Sequence, residues 1–214
     1  MIVRDDCYEY QFSVTCFFIG SALFLLSPTN KKIRYLTSAF LGSIIFIYPI
    51  YLLTTLYWSA LSYENKIAPL IYFMNKYAKD KRVYFFSTQL SLEFPAVDYA
   101  NAIPSSQFPV FSMLPGILKQ SQKNNNDKQI LKDRDYFINT VASEIKNNKP
   151  NLIFVDVQKT KPYMEELQFE YLNYLSQNAN FKHNWQDYHY LTTIESYPLY
   201  KLAVYERPDD SEKP

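Results

Sequence analysis

Two long stretches without a single charged side chain constrain this chain more than anything else in it. They are residues 10–26 (YQFSVTCFFIGSALFLL) and residues 35–58 (YLTSAFLGSIIFIYPIYLLTTLYW). A helix needs about 20 predominantly apolar residues to cross ~30 Å of hydrocarbon. By that measure the first stretch is short and the second is ample, and both are expected to be transmembrane helices. Pro49 interrupts the second stretch, which a membrane helix tolerates better than a soluble one. Tyr35 at one end, and Tyr57 with Trp58 at the other, suit the two water–lipid interfaces. The rest of the chain is mixed and polar, so 48% hydrophobic residues still give a mean hydropathy of only -0.25.

Between the two stretches, residues 27–34 (SPTNKKIR) carry Lys31, Lys32 and Arg34. A short basic loop stays on the cytoplasmic side. Both outer ends then face the other way, and residues 61–207 are expected to form an extracytoplasmic domain, followed by a charged, disordered tail at 208–214. The expected fold is thus a membrane-anchored α/β protein of the inner membrane, multi-pass, with the lipid bilayer as a partner. A cleaved signal peptide fits less well, because Asp5, Asp6 and Glu9 flank the first stretch and no small-x-small site follows it.

Composition narrows the function. Net charge is +1, so bulk electrostatics draw the chain to no nucleic acid. The three glycines, Gly20, Gly42 and Gly116, leave no room for GxGxxG or GxxxxGK[ST], which removes the common glycine-rich phosphate cradles. Cys7 and Cys16 are the only cysteines, too few for a disulfide framework or a cysteine metal site. Tyrosine is abundant, 20 residues beside 16 phenylalanines, but Asn, Lys and Ile are abundant too, so the bias reads as codon composition and not as function. No cofactor is expected.

Past the second stretch the apolar period changes. Residues 64–79 carry Ile67, Leu70, Ile71, Met74, Tyr77 and Ala78 at helical spacing, a helix leading from the bilayer into the fold. Residues 83–87 (VYFFS) read as a buried strand. Residues 88–119 hold Pro95, Pro104, Pro109 and Pro115, which argues against a long helix there. Residues 121–128 (SQKNNNDK) form a polar loop. Residues 128–148 are an amphipathic helix with Phe137, Ile138, Val141, Ala142 and Ile145 on its apolar face. Residues 151–157 (NLIFVDV) are the best strand, residues 163–177 a second helix, and residues 188–194 and 199–205 an antiparallel hairpin turning at Ser196, Tyr197 and Pro198. That order implies a small mixed sheet, parallel in part, with helices on its faces.

Candidate chemistry is sparse. Asp156 closes the best strand, where open α/β sheets place binding residues; the other reading is a turn residue that caps the following loop. His183 and His189, the only histidines, lie in HNWQDYH with Trp185 and Asp187, a spacing that matches no common zinc pattern and reads as an aromatic surface segment. Glu165, Glu166, Asp133 and Asp135 sit among basic residues as solvated helix faces. GxSxG and HExxH are absent. No catalytic or metal-binding residue is assigned.

Two short motifs point further. Ser105-Ser106-Gln107-Phe108-Pro109 is followed by Met113-Leu114-Pro115-Gly116, and Pro150 precedes Leu152-Ile153-Phe154-Val155-Asp156. This succession resembles the C-terminal, extracytoplasmic portion of bacterial GT-C-class membrane glycosyltransferases, which use lipid-linked sugars. The resemblance covers residues 35–207. It implies that Ser106, Gln107 and Asp156 contribute to substrate binding, that the ligand is a polyprenyl-linked sugar or its acceptor, and that an upstream multi-span membrane subunit is a partner. There are departures. Gln107 stands where the resemblance leads one to expect Arg, which weakens an anion-binding role. The class keeps its catalytic carboxylate in a large first extracytoplasmic loop, and nothing here corresponds to it. The expectation is therefore the C-terminal part of a glycosyltransferase-like protein, not catalytic alone. The alternative is a membrane-tethered binding or interaction module with no enzymatic activity.

Overall fold

The computed structural model describes residues 31–208, apart from 109, 125, 165, 166, 168, 197 and 198. The elements run α1 (Lys31–Tyr77), β1 (Arg82–Phe86), α2 (Leu90–Glu93), α3 (Ala96–Ala100), β2 (Ile103–Pro104), α4 (Leu114–Lys123), α5 (Lys128–Asn148), β3 (Leu152–Asp156), α6 (Tyr171–Leu175), α7 (Ala179–Trp185), β4 (His189–Ser196) and β5 (Tyr200–Glu206). The chain divides into two compact units between Tyr63 and Glu64.

The expected pair of membrane spans is corrected. Residues 10–26 lie outside the described residues. Residues 35–58 are not a separate span: they belong to the single 47-residue helix α1, whose first turns are formed by the Lys31, Lys32 and Arg34 stretch expected to be a loop. Among the described residues no helix is long and apolar enough to cross a membrane. Absence of charge was the wrong criterion, because transfer into lipid depends on every polar atom. Residues 35–58 carry serine, threonine and tyrosine hydroxyls. Thr54 and Thr55 both donate back to the Tyr51 carbonyl at 2.8 Å.

Residues 64–208 hold the α/β fold. Its five-stranded sheet has the order β2-β1-β3-β5-β4. β2, β1 and β3 run parallel, and β5 returns antiparallel between β3 and β4. The mixed sheet follows from the connections: helices separate the parallel strands β1 and β3, while only three residues separate β4 from β5. β3 is central and all five of its residues are buried. A strand sends alternate side chains to opposite faces. On one face Tyr84, Phe86, Ile153 and Val155 join a core with Phe111, Leu114, Phe137, Val141, Leu175 and Phe181, contributed by α4 to α7 and the segment before α4. On the other face Phe85 stacks on Phe154 with ring centroids 4.5 Å apart, and Phe73 of α1 meets Phe154 edge-on at 6.1 Å. The last turns of α1 bury Ile67, Leu70, Met74 and Ala78. These turns, expected to lead away from a bilayer, are therefore part of the domain's own core.

Helix ends obey local chemistry. Asp127 caps α5 by accepting from the Gln129 N–H at 2.9 Å, and Lys149 closes it in the left-handed conformation, φ 44°. The proline-rich stretch expected to be irregular in fact contains α2, α3, β2 and α4, with Pro95 just before α3 and Pro104 in the short edge strand β2. Pro115 sits in the first turn of α4, where its missing N–H costs nothing. The helix expected over residues 163–177 is shorter, Tyr171–Leu175, and Glu165 and Glu166 lie outside the described residues. So does the hairpin turn at Tyr197 and Pro198.

Candidate functional site

The parallel register of β1 and β3 pairs Phe86 with Val155, so both strands end at the same level. Ser87 and Thr88 leave β1 beside Asp156 at the end of β3. This is the edge of an open sheet where the loops after parallel strands converge. Ser87, Thr88, Asp156 and Lys161 are all buried there, with Asp156 exposed by only 1% and Lys161 by 4%. Tyr171, the first residue of α6, joins them at 1%.

Each group is held by particular bonds. Asp156 Oδ1 accepts from the Gln158 N–H at 2.9 Å, a local Asx turn. Asp156 Oδ2 is buried and accepts no hydrogen bond. Lys161 donates from Nζ to the Gln158 carbonyl at 2.5 Å and lies 5.6 Å from the centre of the Tyr171 ring. Thr88 donates from Oγ1 to the Pro162 carbonyl at 2.9 Å. The Tyr171 hydroxyl lies beside Thr88 without closing a hydrogen bond.

Burial governs the charges. It pushes the Asp156 carboxyl up to about 6, a rise that the Gln158 N–H and the Lys161 ammonium oppose without cancelling. It also pulls Lys161 below the usual lysine value, against the nearby carboxylates of Asp156 and Glu170. The Tyr171 phenol is raised by burial and by the Asp156 charge. The result is a dry cluster with one carboxylate, one ammonium and three hydroxyls, from Ser87, Thr88 and Tyr171. It can accept and donate hydrogen bonds to a polar ligand but carries no net charge to attract an ion.

Ser106 and Gln107, the other expected binding residues, are placed after β2 and moored to α5. Ser105 continues the ladder by donating its N–H to Val83 O at 2.9 Å. The Ser106 hydroxyl donates to the Phe108 carbonyl. The Gln107 N–H donates to Glu144 Oε1 at 2.5 Å, while its side chain is exposed. The Tyr84 hydroxyl donates to Glu144 Oε2 at 2.5 Å, and Asn148 Nδ2 donates to Ser105 O at 2.5 Å. Glu144 thus organises the SSQFP segment from the helix side. No hydrogen bond among the described residues joins Ser106 or Gln107 to Asp156.

Sequence reasoning missed Thr88, Lys161, Tyr171, Glu93 and Glu144. Lys161 sits in KTKPY, between β3 and α6, and no local pattern announces its burial. Glu93 did leave a signal, being the single charge in LEFPAV. It is 1% exposed, its Oε2 has no partner, and burial pushes it up to about 8. His183 and His189 end up on α7 and at the start of β4. Among the described residues no three His, Cys, Asp or Glu side chains converge as a metal site.

A concave feature of about 600 Å³ lies away from this cluster, between the last turns of α1 and the outer strand β4, lined by Pro69, Tyr72, Phe73, Tyr77 and residues 191–195. Comparison with protein-family models, with curated proteins and with solved structures finds no match to this chain.

Proposed function

We propose that residues 64–208 are a binding domain of a glycosyltransferase-like system, holding a polyprenyl-linked sugar or its acceptor, with catalysis supplied elsewhere. The observation that carries this reading is Asp156: a buried carboxylate at the end of the central strand, with Oδ2 left without a donor and an ammonium and an aromatic face beside it. A buried acceptor left unsatisfied costs roughly 1–3 kcal/mol, so a ligand hydroxyl that fills it is rewarded. Sugar hydroxyls are complementary to this set of groups. The motif resemblance points to the same residue.

The test is calorimetric titration of the purified chain with a short-chain polyprenyl-phosphate sugar. Binding that weakens about tenfold or more in Asp156→Asn supports the reading. Absent binding, or binding indifferent to that substitution, removes it. Sugar transfer by the chain alone, abolished by Asp156→Asn, would place the chemistry here instead.

A second reading, an interaction module with no enzymatic role, is favoured by the aromatic groove between α1 and β4, where Tyr72 and Leu191 are exposed. Under it, Tyr72→Ala weakens partner binding and Asp156→Asn does not.

A further inference from the structure

The sheet ends on two unlike edges. β2, on one side, is two residues long, and its second residue, Pro104, has no N–H to offer another strand. β4, on the other side, runs for eight residues, and among the described residues no strand lies beyond it. An edge strand turns a row of N–H and C=O groups outward, and proteins blunt such edges with proline, lysine or a bulge. β4 contains neither proline nor lysine. Its bulge is confined to the register shift between Tyr190 and Thr192, so residues 192–196 pair regularly with β5.

The ladder decides which groups face out. Val157 N–H donates to Lys201 O at 2.9 Å, and Arg207 N–H donates to Asn151 O at 3.0 Å, so the odd-numbered residues of β5 face β3. Successive residues of an antiparallel strand bond to opposite sides. Tyr200, Leu202 and Val204 therefore face β4, where they pair with Ser196, Ile194 and Thr192. Thr193 and Glu195 are left with N–H and C=O turned away from β5. Their side chains bond within the chain: Thr193 Oγ1 shares a hydrogen bond with the Tyr190 hydroxyl at 2.8 Å, and Glu195 pairs with Lys201 at 3.1 Å. The groove containing Pro69, Tyr72 and Phe73 runs beside these residues, with Tyr72 exposed.

We infer that β4 is the seam of a symmetric dimer, in which residues 192–196 of two copies pair antiparallel about Ile194. A two-fold pairing must set outward-facing residues against each other. Centred on Glu195, it would oppose two carboxylates, which is destabilising. Centred on Thr193 or nearer the start of the strand, it would run into the bulge, where the ladder is irregular. Centred on Ile194, each Thr193 exchanges its N–H and C=O with the other copy's Glu195, and Thr192 meets Ser196. No like charges are then opposed, and each Glu195 keeps Lys201 as its own counter-ion. A net charge of +1 per copy adds little repulsion. A short strand pairing supplies less than the ~1,200 Å² that stable interfaces bury, so the exposed Tyr72 and Leu191 beside it complete the contact. The inference does not rest on the reading of Asp156, which lies on β3, with β5 between it and β4.

The test uses the full chain, with light scattering and hydrogen exchange resolved to single amides over about a hundredfold range of concentration. The Thr193 and Glu195 amides should slow about tenfold or more from the lowest concentration to the highest, and the Ile194 amide, which faces β5, far less. Thr193→Pro removes an outward N–H without touching the β4–β5 ladder. It should keep a cooperative melt whose midpoint no longer depends on concentration, and should weaken dimerisation about tenfold or more. If Thr193→Pro does not fold, exchange on the unmutated chain decides alone. Fast exchange at Thr193 and Glu195 at every concentration would overturn the seam, even if the chain associates through another surface. Protection that does not fall on dilution would place another part of the same chain on the edge and would overturn it equally.

Discussion

Asp156 and Glu93 make stability depend on pH in an unusual direction. Burial raises both, to about 6 and about 8, above their values in an unfolded chain, ~3.9 and ~4.3. The folded state therefore holds each proton more tightly than the unfolded one. The stability each contributes is full below its unfolded value and is lost as pH rises through its folded value. For Asp156 the window is about pH 4 to 6 and for Glu93 about pH 4 to 8. Ordinary carboxylates and Asp156 have finished titrating by about pH 7, so a fall in thermal midpoint between pH 7 and 8.5 isolates Glu93. That fall is the expected result, and Glu93→Gln should flatten it; a midpoint constant over this range in the unmutated chain would refute the buried, unpartnered state of Glu93. Asp156→Asn keeps an oxygen to accept from the Gln158 N–H and loses the buried charge. It should stabilise the chain at pH 7 by on the order of 1–2 kcal/mol, less than the full shift because Lys161 loses its counter-charge. A substitution that strengthens the fold while weakening sugar binding is the mark of a residue kept for function.

Elements were legible where one local rule decided them. The α5 helix showed in the spacing of Phe137, Val141 and Ile145, and β3 in the unbroken LIFVD. Both are fixed by burial pattern, which sequence displays directly. The short elements α2, α3 and β2 were hidden because each is set by tertiary packing over two to five residues. The site was half legible. Asp156 showed because strand ends are predictable, whereas Lys161 was hidden because its burial depends on how the loop after β3 packs against Thr88 and Tyr171. Motifs also mislead at this scale. Gly116 belongs to the segment whose resemblance suggested ligand binding, yet it lies inside α4 without a positive φ, and an added Cβ would meet nothing within 4 Å. Gly116→Ala should then stabilise by about 0.5–1 kcal/mol through the lower entropy of the unfolded chain. A denaturant midpoint that falls would show that the position serves something other than the helix. At the far end of α5, Lys149 occupies a left-handed cap that glycine takes without strain, so Lys149→Gly should raise the midpoint by a similar amount.

At the scale of the whole molecule, the two faces of the sheet decide which residues make a folding unit. The face carrying Tyr84, Phe86, Ile153 and Val155 is covered by α4 to α7, all within residues 82–208. The opposite face is different. Phe85 and Phe154 are buried there, and Phe73 of α1 packs against Phe154. Ile67, Leu70, Met74 and Ala78 are buried as well, so the last turns of α1 put one wide apolar stripe into the core. Periodicity alone showed this stripe but not its target, since a helix after an apolar stretch reads equally as a membrane-side element. A fragment of residues 64–208 should therefore fold cooperatively, being about the size at which one core suffices. A fragment of residues 80–208 loses Ile67, Leu70, Phe73 and Met74. Burying one such side chain is worth roughly 1.5–3 kcal/mol, and four together rival the 5–15 kcal/mol total of an ordinary domain. It should show no cooperative transition in a circular dichroism melt, or only a broad one with its apolar face exposed to dye. Within residues 64–208, Ile153→Asp should abolish the transition, because the charge lands unpaired between β1 and β5 on the buried face. Equal melts for the 64–208 and 80–208 fragments would mean that α1 adds nothing to the sheet's core, and the packing of Phe73 on Phe154 would then have no energetic weight.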